Sequence, residues 1–512
     1  MFYSAILLTG VNLLLRLVST SFQVYISGRI GAAGVGLLQL VMSVGGMSMT
    51  AGMAGVRTAT MYLTAEELGR KRPGNVHWVL RGSYVYSLVC SGTIGLLVYF
   101  AAPYLAVNWI GDARTIGALR LLAVFLPITC LCGVMTGYFT AANRIGTLAA
   151  VEVAEQLCSM GVTVTALTLW AGHDPGKSCQ AVVLGSCIGT WLTFLCLFCL
   201  RIAERVKPAN RIPVGSRLMQ TAVPLALADD LKSGINTVEN LMVPKRLSLY
   251  PGAAEPLALF GTVSGMVFPV MMFPAAILFG LTELLIPELA RCNAAGSTRR
   301  IHYLVRRSLR VAMLYGSIFC GLLFLLSEDL CMTLYGSADA GRYLKWFSLM
   351  IPMLYGDAIT DAMVKGLGQQ KISVRYNILT SCLDVIFLYL LLPHYGIGGY
   401  FASFLVTHLI NFILSLRRLL KITRQKLPIH IPMLCTAAVA ASILFASSLA
   451  NAILRAGAFL SILASLLTLF RILSKEDILW LKGLVCKKCP ARGGSFQLIN
   501  LSALPAGNPR YA

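Results

Sequence analysis

LRLLAVFLPITCLCGVMTGYFTAA, residues 119–142, holds one charged side chain, Arg120, in a run long enough to cross about 30 Å of hydrocarbon at roughly 1.5 Å per helical residue. Working outward, windows of about 20 apolar residues recur on both sides of it and give about fourteen candidate spans. They lie at 5–26, 35–63, 84–106, 119–142, 148–170, 181–200 and 218–243, then 257–285, 311–326, 346–367, 374–392, 397–414, 431–449 and 456–472. Only residues 451–455 separate the last two, so about twelve spans also fit. The chain is 57% hydrophobic and 12% charged over 512 residues, which would leave a water-soluble domain with a largely apolar surface. The apolar runs are continuous rather than alternating, so helices, not barrel strands, satisfy the backbone in lipid. The expected fold class is an all-α integral membrane protein. No small-residue cleavage pattern follows the first span, which is expected to stay in the mature protein.

The net charge of +22 raises nucleic acid as a partner. The basic residues sit in alternate loops, however, with no basic helix or aromatic platform, so no nucleic acid is expected. They crowd the connections after the second (Arg70, Lys71, Arg72), sixth (Arg205, Lys207, Arg211), eighth (Arg291, Arg299, Arg300) and twelfth spans (Arg417, Arg418, Lys421). The other loops carry Asp112, Asp174, Glu255, Glu328, Asp329 and Asp339. By the positive-inside rule the basic loops and both termini are cytoplasmic, where they face anionic membrane lipids as partners. The 15 cysteines lie mostly inside apolar spans, as small hydrophobes. Cys486 and Cys489 form a lone C-x-x-C that lacks the second pair a zinc site needs, so no metal is expected. There is no phosphate-binding loop and no paired-His metal helix, so neither an ATPase nor a catalytic centre is expected.

The quoted stretch also belongs to a repeat. Leu126-Pro127 through Gly137-Tyr138 to Asn143-Arg144 resembles Ile351-Pro352 through Ala362-Met363 to Gly368-Gln369, and Glu67-Leu68-Gly69-Arg70 resembles Glu288-Leu289-Ala290-Arg291. Six spans separate the copies, so both halves face the same way about an axis along the membrane normal. Two six-helix lobes are predicted, at 1–205 and 206–425, followed by two helices at 426–473 and a disordered cytoplasmic tail at 474–512. A cleft between the lobes suits a transporter.

Charges inside spans cost about 2.5 to 3.5 kcal/mol each on insertion scales, so they should face a cavity or a partner. Arg16 lies deep in the first span, with Asn12 one turn earlier, and Arg57 lies in the second. The seventh span carries Asp229, Lys232, Asn236 and Glu239 within about an 80° arc. Asp357, Asp361 and Lys365 form one stripe of the tenth, with a spacing suited to an Asp–Lys ion pair. Glu152 and Glu155 fall in the fifth span and Asp384 in the eleventh. Static ion pairing explains any single one of them as readily as function does. Pro224, Pro269 and Pro274 are expected to interrupt the seventh and eighth spans.

In order, Arg29-Ile30-Gly31 with Gly34-Val35-Gly36-Leu37, Ala65-Glu66, Glu155-Gln156, Glu239 with Leu241, Val243 and Leu247, Pro287-Glu288 and Tyr335-Gly336-Ser337 resemble a known pattern. It is that of the stage V sporulation protein B-like, polysaccharide flippase branch of the multidrug/oligosaccharidyl-lipid/polysaccharide (MOP, MATE-like) exporter superfamily. The resemblance runs from about Leu8 to Ile472. It implies fourteen helices in two lobes, a bacterial plasma-membrane location, and alternating-access flipping of a polyprenyl-linked saccharide. It also implies cell-wall or sporulation proteins as partners. Arg16 matches a cavity arginine of the lipid II flippases, whereas Phe22 stands where they have a second. Combining both readings, Arg16, Arg57, Lys232 and Asn236 are expected to bind substrate in a net basic cleft. Asp229, Glu239, Asp357, Asp361 and Glu155 would couple to protons, Na⁺ or membrane potential or form ion pairs, with no other cofactor. The rivals are a multidrug cation antiporter of the same superfamily, a scaffold, and a lipid-glycan enzyme.

Overall fold

The computed structural model describes residues 2–172, 174–203, 214–425 and 430–470. Among these there is helix and turn but no strand. Cys486, Cys489 and the expected cytoplasmic tail lie outside them. In chain order the helices are α1 (Phe2–Met53), α2 (Val56–Gly69), α3 (Val76–Tyr104), α4 (Ile116–Ala141), α5 (Ile145–Ala166), α6 (Pro175–Ala203) and α7 (Gly215–Leu247). The short α8 (Pro256–Thr262) and α9 (Phe268–Met272) lead into α10 (Ala275–Ala294), α11 (Thr298–Tyr335), α12 (Ala338–Ser348) and α13 (Ile351–Gly366). The last four are α14 (Gln370–Tyr395), α15 (Ile397–Thr423), α16 (His430–Ala446) and α17 (Ala452–Leu469). Eight helices among the described residues are long and apolar enough to cross a membrane, nine with a pair bent by 63° before α10. The helix order fits fourteen crossings, since α1 turns at Gly31 and the eighth and tenth spans are each built from consecutive helices.

Two predicted interruptions turn out differently. The eighth span does break, at Pro274, which caps α10. The seventh does not: α7 passes through both Pro224 and Pro244 as one helix. A proline inside a membrane helix loses one backbone bond, and flanking turns and neighbours absorb that loss.

The repeat is written in the backbone. In the first half Lys71, Gly111, Asn143 and Gly172 have left-handed φ, and in the second so do Gly296, Gly336, Gly368 and Gly396. Each pair stands at the equivalent turn, and the successive spacings agree to within about one residue. Packing repeats too. Helix α4 lies against α2, α3 and α6 as α13 lies against α10, α11 and α15, and α5–α6 pair as α14–α15 do. The sequence-matched acids are staples in both copies: Glu67 accepts from Asn75 Nδ2 at 2.8 Å, and Glu288 pairs with Arg300 at 2.6 Å, each tying the end of one span to the start of the next.

The halves meet along a seam. At the end bearing the acidic loops α1 crosses α8 so closely that a Cβ on Gly36 would strike the Leu257 carbonyl and one on Gly261 the Ala32 carbonyl. Small residues at such a crossing let helix backbones touch where no hydrophobic drive exists between helices in lipid. Toward the basic end, Thr237 donates to the Ser43 carbonyl at 3.1 Å and Thr50 to Ser233 at 3.3 Å. The seam ends where Arg217 of α7 bridges Glu66 at 2.7 Å and Glu67 at 3.0 Å of α2. Helices α16 and α17 pack outside this core on α11, with Phe459 against Gly321 and Arg455 paired to Asp329.

Candidate functional site

Between α1 and α2 the chain takes positive φ twice, at Ala54 (41°) and Gly55 (70°). Gly55 has no room for a side chain, since a Cβ there would meet the Ala222 carbonyl of α7. This break turns α2 so that Arg57 faces inward. Opposite it, the polar face of α7 carries Asp229, Lys232, Ser233, Asn236 and Glu239, three or four residues apart on one stripe. A cavity of about 700 Å³ opens between them, with Met49, Met53 and Ser381 of α14 completing much of the wall. Its described lining holds two cations and two carboxylates and no aromatic ring. Among the described residues neither Arg57 nor Lys232 comes within 4.0 Å of a carboxylate.

On this wall the carboxyl group of Glu239 stands close enough to that of Asp384 for the two to interact electrostatically. Asp384 Oδ1 also accepts from Ser403 at 2.6 Å and Thr407 at 3.2 Å, both on α15. Two carboxyls this close repel when both are ionised, which favours a shared proton.

A second, smaller cavity of about 180 Å³ lies inside the C-terminal half, beside Phe279, Tyr355, Asp357, Asp361, His408 and Asn411. Asn411 Nδ2 donates to both oxygens of Asp357, at 3.1 and 3.0 Å, and to Asn377 Oδ1 at 3.2 Å. His408 Nδ1 stands 3.7 Å from Asp357, and Lys365 pairs with Asp361 at 2.6 Å as the spacing suggested. Helix α14 joins the cavities: Asn377 lines the smaller and Ser381, one turn on, the larger.

Of the nine site residues expected from sequence, Arg57, Asp229, Lys232, Asn236 and Glu239 share the large cavity, and Asp357 and Asp361 share the small one. Arg16 lines neither; it is exposed, with its guanidinium 6.0 Å from the Phe279 ring. Glu155 stays within the N-terminal half, accepting from Thr190 at 3.1 Å and Thr193 at 2.7 Å of α6. The side chain of Asn12 lies outside the described residues. The described lining of the large cavity carries two cations and two carboxylates, and Arg16 is not part of it. His408, Asn411 and Asn377 were missed, although Ser403, Thr407, Asn411 and Ser415 recur every fourth residue along α15 and are all buried. That stripe, read as one face of an apolar helix, was the available signal.

Two stretches, residues 9–172 and 224–390, each match the sequence model of the family described as MatE, one in each half. The chain belongs to the MatE family. A curated relative, stage V sporulation protein B of Bacillus subtilis (strain 168), is 22% identical over 411 residues, 77% of this MatE chain and 78% of that protein. A solved structure of the lipid II flippase MurJ in an inward closed conformation has a TM-score of 0.67 at 13% identity, covering 93% of this chain and 100% of that one. An inward-facing multidrug resistance MATE family transporter of the MOP superfamily has a TM-score of 0.65 at 14% identity, covering 83% and 100%. The MatE fold and its helical, multi-pass construction thus agree, and the protein is a membrane transporter rather than an enzyme.

Proposed function

We propose that this MatE protein is a flippase of the bacterial plasma membrane that moves a polyprenyl-linked saccharide by alternating access, in cell-wall or spore-cortex synthesis. One observation carries the reading: in the large cavity, no carboxylate among the described residues lies within ion-pair distance of Arg57 or Lys232. A cation left unpaired in a membrane protein costs several kcal/mol unless it faces water or an anion. A pyrophosphate supplies that anion, and the hydroxyl and amide groups of Thr50, Ser233 and Asn236 suit a saccharide. The relatives named above include a lipid II flippase and a sporulation protein, which supports the same class. An organic-cation antiporter fits less well, since the described residues of the lining offer no aromatic face to hold a quaternary or aryl cation. Glu239 and Asp384 form the coupling pair in this reading, exchanging a proton or Na⁺ as the lobes rock. Basic loops face the cytoplasm with both termini.

Proteoliposomes loaded with a fluorescent polyprenyl-pyrophosphate glycan test this. Wild type should carry the label across with a rate that falls at least about tenfold in Arg57→Ala and Lys232→Ala, each of which removes a charge-assisted contact. Transport of ethidium without any movement of the glycan would replace the proposal with the antiporter.

A further inference from the structure

A third cavity, of about 360 Å³, lies away from the cleft on the outside of the N-terminal half, at the basic end of the bundle. It is formed where α3 begins and α6 ends. His77, Arg81 and Tyr84 come from α3, and Phe198, Arg201 and Ile202 from α6. No carboxylate is among the described residues that line it. Arg81 is exposed, sits 5.6 Å over the Trp78 ring, and has no carboxylate partner among the described residues. Arg201 is held over the Tyr138 ring at 4.9 Å. The Tyr84 hydroxyl is buried and finds no hydrogen-bond partner among the described residues. The Arg81 guanidinium, the His77 imidazole and the spare Tyr84 phenolic donor in one pocket, beside Arg201, make an anion site.

What lies next to it says where the anion comes from. Down the same face of α3 from Arg81, one turn apart, stand Val85, 60% exposed, and Val89, 63% exposed. Across the groove Ile202 is 61% exposed on α6. A cationic pocket at the membrane interface that continues into an exposed apolar track fits a molecule with a charged head and hydrocarbon tails. We infer that this pocket binds the phosphate of an anionic phospholipid of the leaflet facing the basic loops, with an acyl chain along α3. The site is independent of the transport cleft, so it stands whether or not the substrate named above is correct. Its place beside the α3 start, which Asn75 ties to Glu67, lets a bound lipid brace the basic end of the N-terminal half.

The full-length protein, purified in mild detergent, is titrated with phosphatidylglycerol, phosphatidylethanolamine or sn-glycerol 3-phosphate, and adducts are counted by native mass spectrometry. Phosphatidylglycerol should be retained about tenfold better than phosphatidylethanolamine. Arg81→Gln should lower that retention about fivefold, while Arg81→Lys keeps most of it. Tyr84→Phe, which removes only the hydroxyl, should cost about two- to threefold. Arg291→Gln, on a different basic loop, should change nothing. The inference is overturned if both lipids bind equally, if Arg291→Gln loses as much as Arg81→Gln, or if equimolar glycerol phosphate displaces the lipid and so identifies a free anion as the ligand.

Discussion

At the residue scale, cost identifies purpose. Ala54 and Gly55 adopt left-handed backbone in the middle of an apolar segment, and Gly55 touches the α7 backbone through its missing side chain. Gly55→Ala adds both a conformational penalty and a steric clash, and thermal unfolding in detergent should show a loss of about 1 to 3 kcal/mol. Arg57 follows that break directly and lines the same cavity as Lys232. Asp384 is the corresponding focus in the C-terminal half. Ser403→Ala and Thr407→Ala, which strip its hydroxyl donors, should each slow transport severalfold and move its dependence on Na⁺ or proton gradient, whereas a purely structural contact would alter only stability. The sequence exposed Arg57, Lys232 and Glu239 because charge is rare in apolar helices. It did not expose the surroundings of Arg16, which depend on how α1 meets α10 around Phe279.

At the element scale, the α2–α7 seam closes the basic end with a buried apolar cluster that includes Ala59, Leu63, Leu218 and Ala222, and with the Arg217 bridge to Glu66 and Glu67. Glu67 is 2% exposed, so removing Arg217 takes the ion-pair partner from a buried carboxylate and leaves it the Asn75 amide and the field of Arg70. Arg217→Ala should therefore loosen this end of the seam. A cysteine placed at Thr58, on the cavity wall, should react severalfold faster with a membrane-impermeant maleimide added from the basic side. An unchanged rate would show that the bridge does not gate the cavity. The equivalent staple of the other half, Glu288 with Arg300, lies within one half, so Arg300→Ala should leave that labelling rate as it is. The acids of both staples were legible as a sequence repeat, but the arginine that reaches across from α7 was not. Pairing over 150 positions of sequence has no local signature.

At the scale of the whole molecule, two tight crossings bracket the central cavity, Gly36 on Gly261 at one end and Arg217 on Glu66 and Glu67 at the other. The proposed alternating access would require them to open in turn. Cross-linking cysteines introduced at Ala32 and Leu257 should hold the first end shut and abolish flipping, with reduction restoring it; flipping that persists through the cross-link would sink the rocking mechanism. Membrane residence, the helical class, the duplication and the intramembrane charges were all determined by the sequence alone, because hydropathy, period and charge are local properties that lipid enforces without reference to distant residues. Only the tertiary structure decided which charges share a cavity. It gathered Arg57 with the α7 stripe, set Asp357 and Asp361 apart with His408 and Asn411, and put Arg16 beside Phe279. Those groupings follow from helix crossings set by small residues and backbone breaks, where a few degrees of turn choose a side chain's neighbours and nothing in its own flanking sequence records the choice.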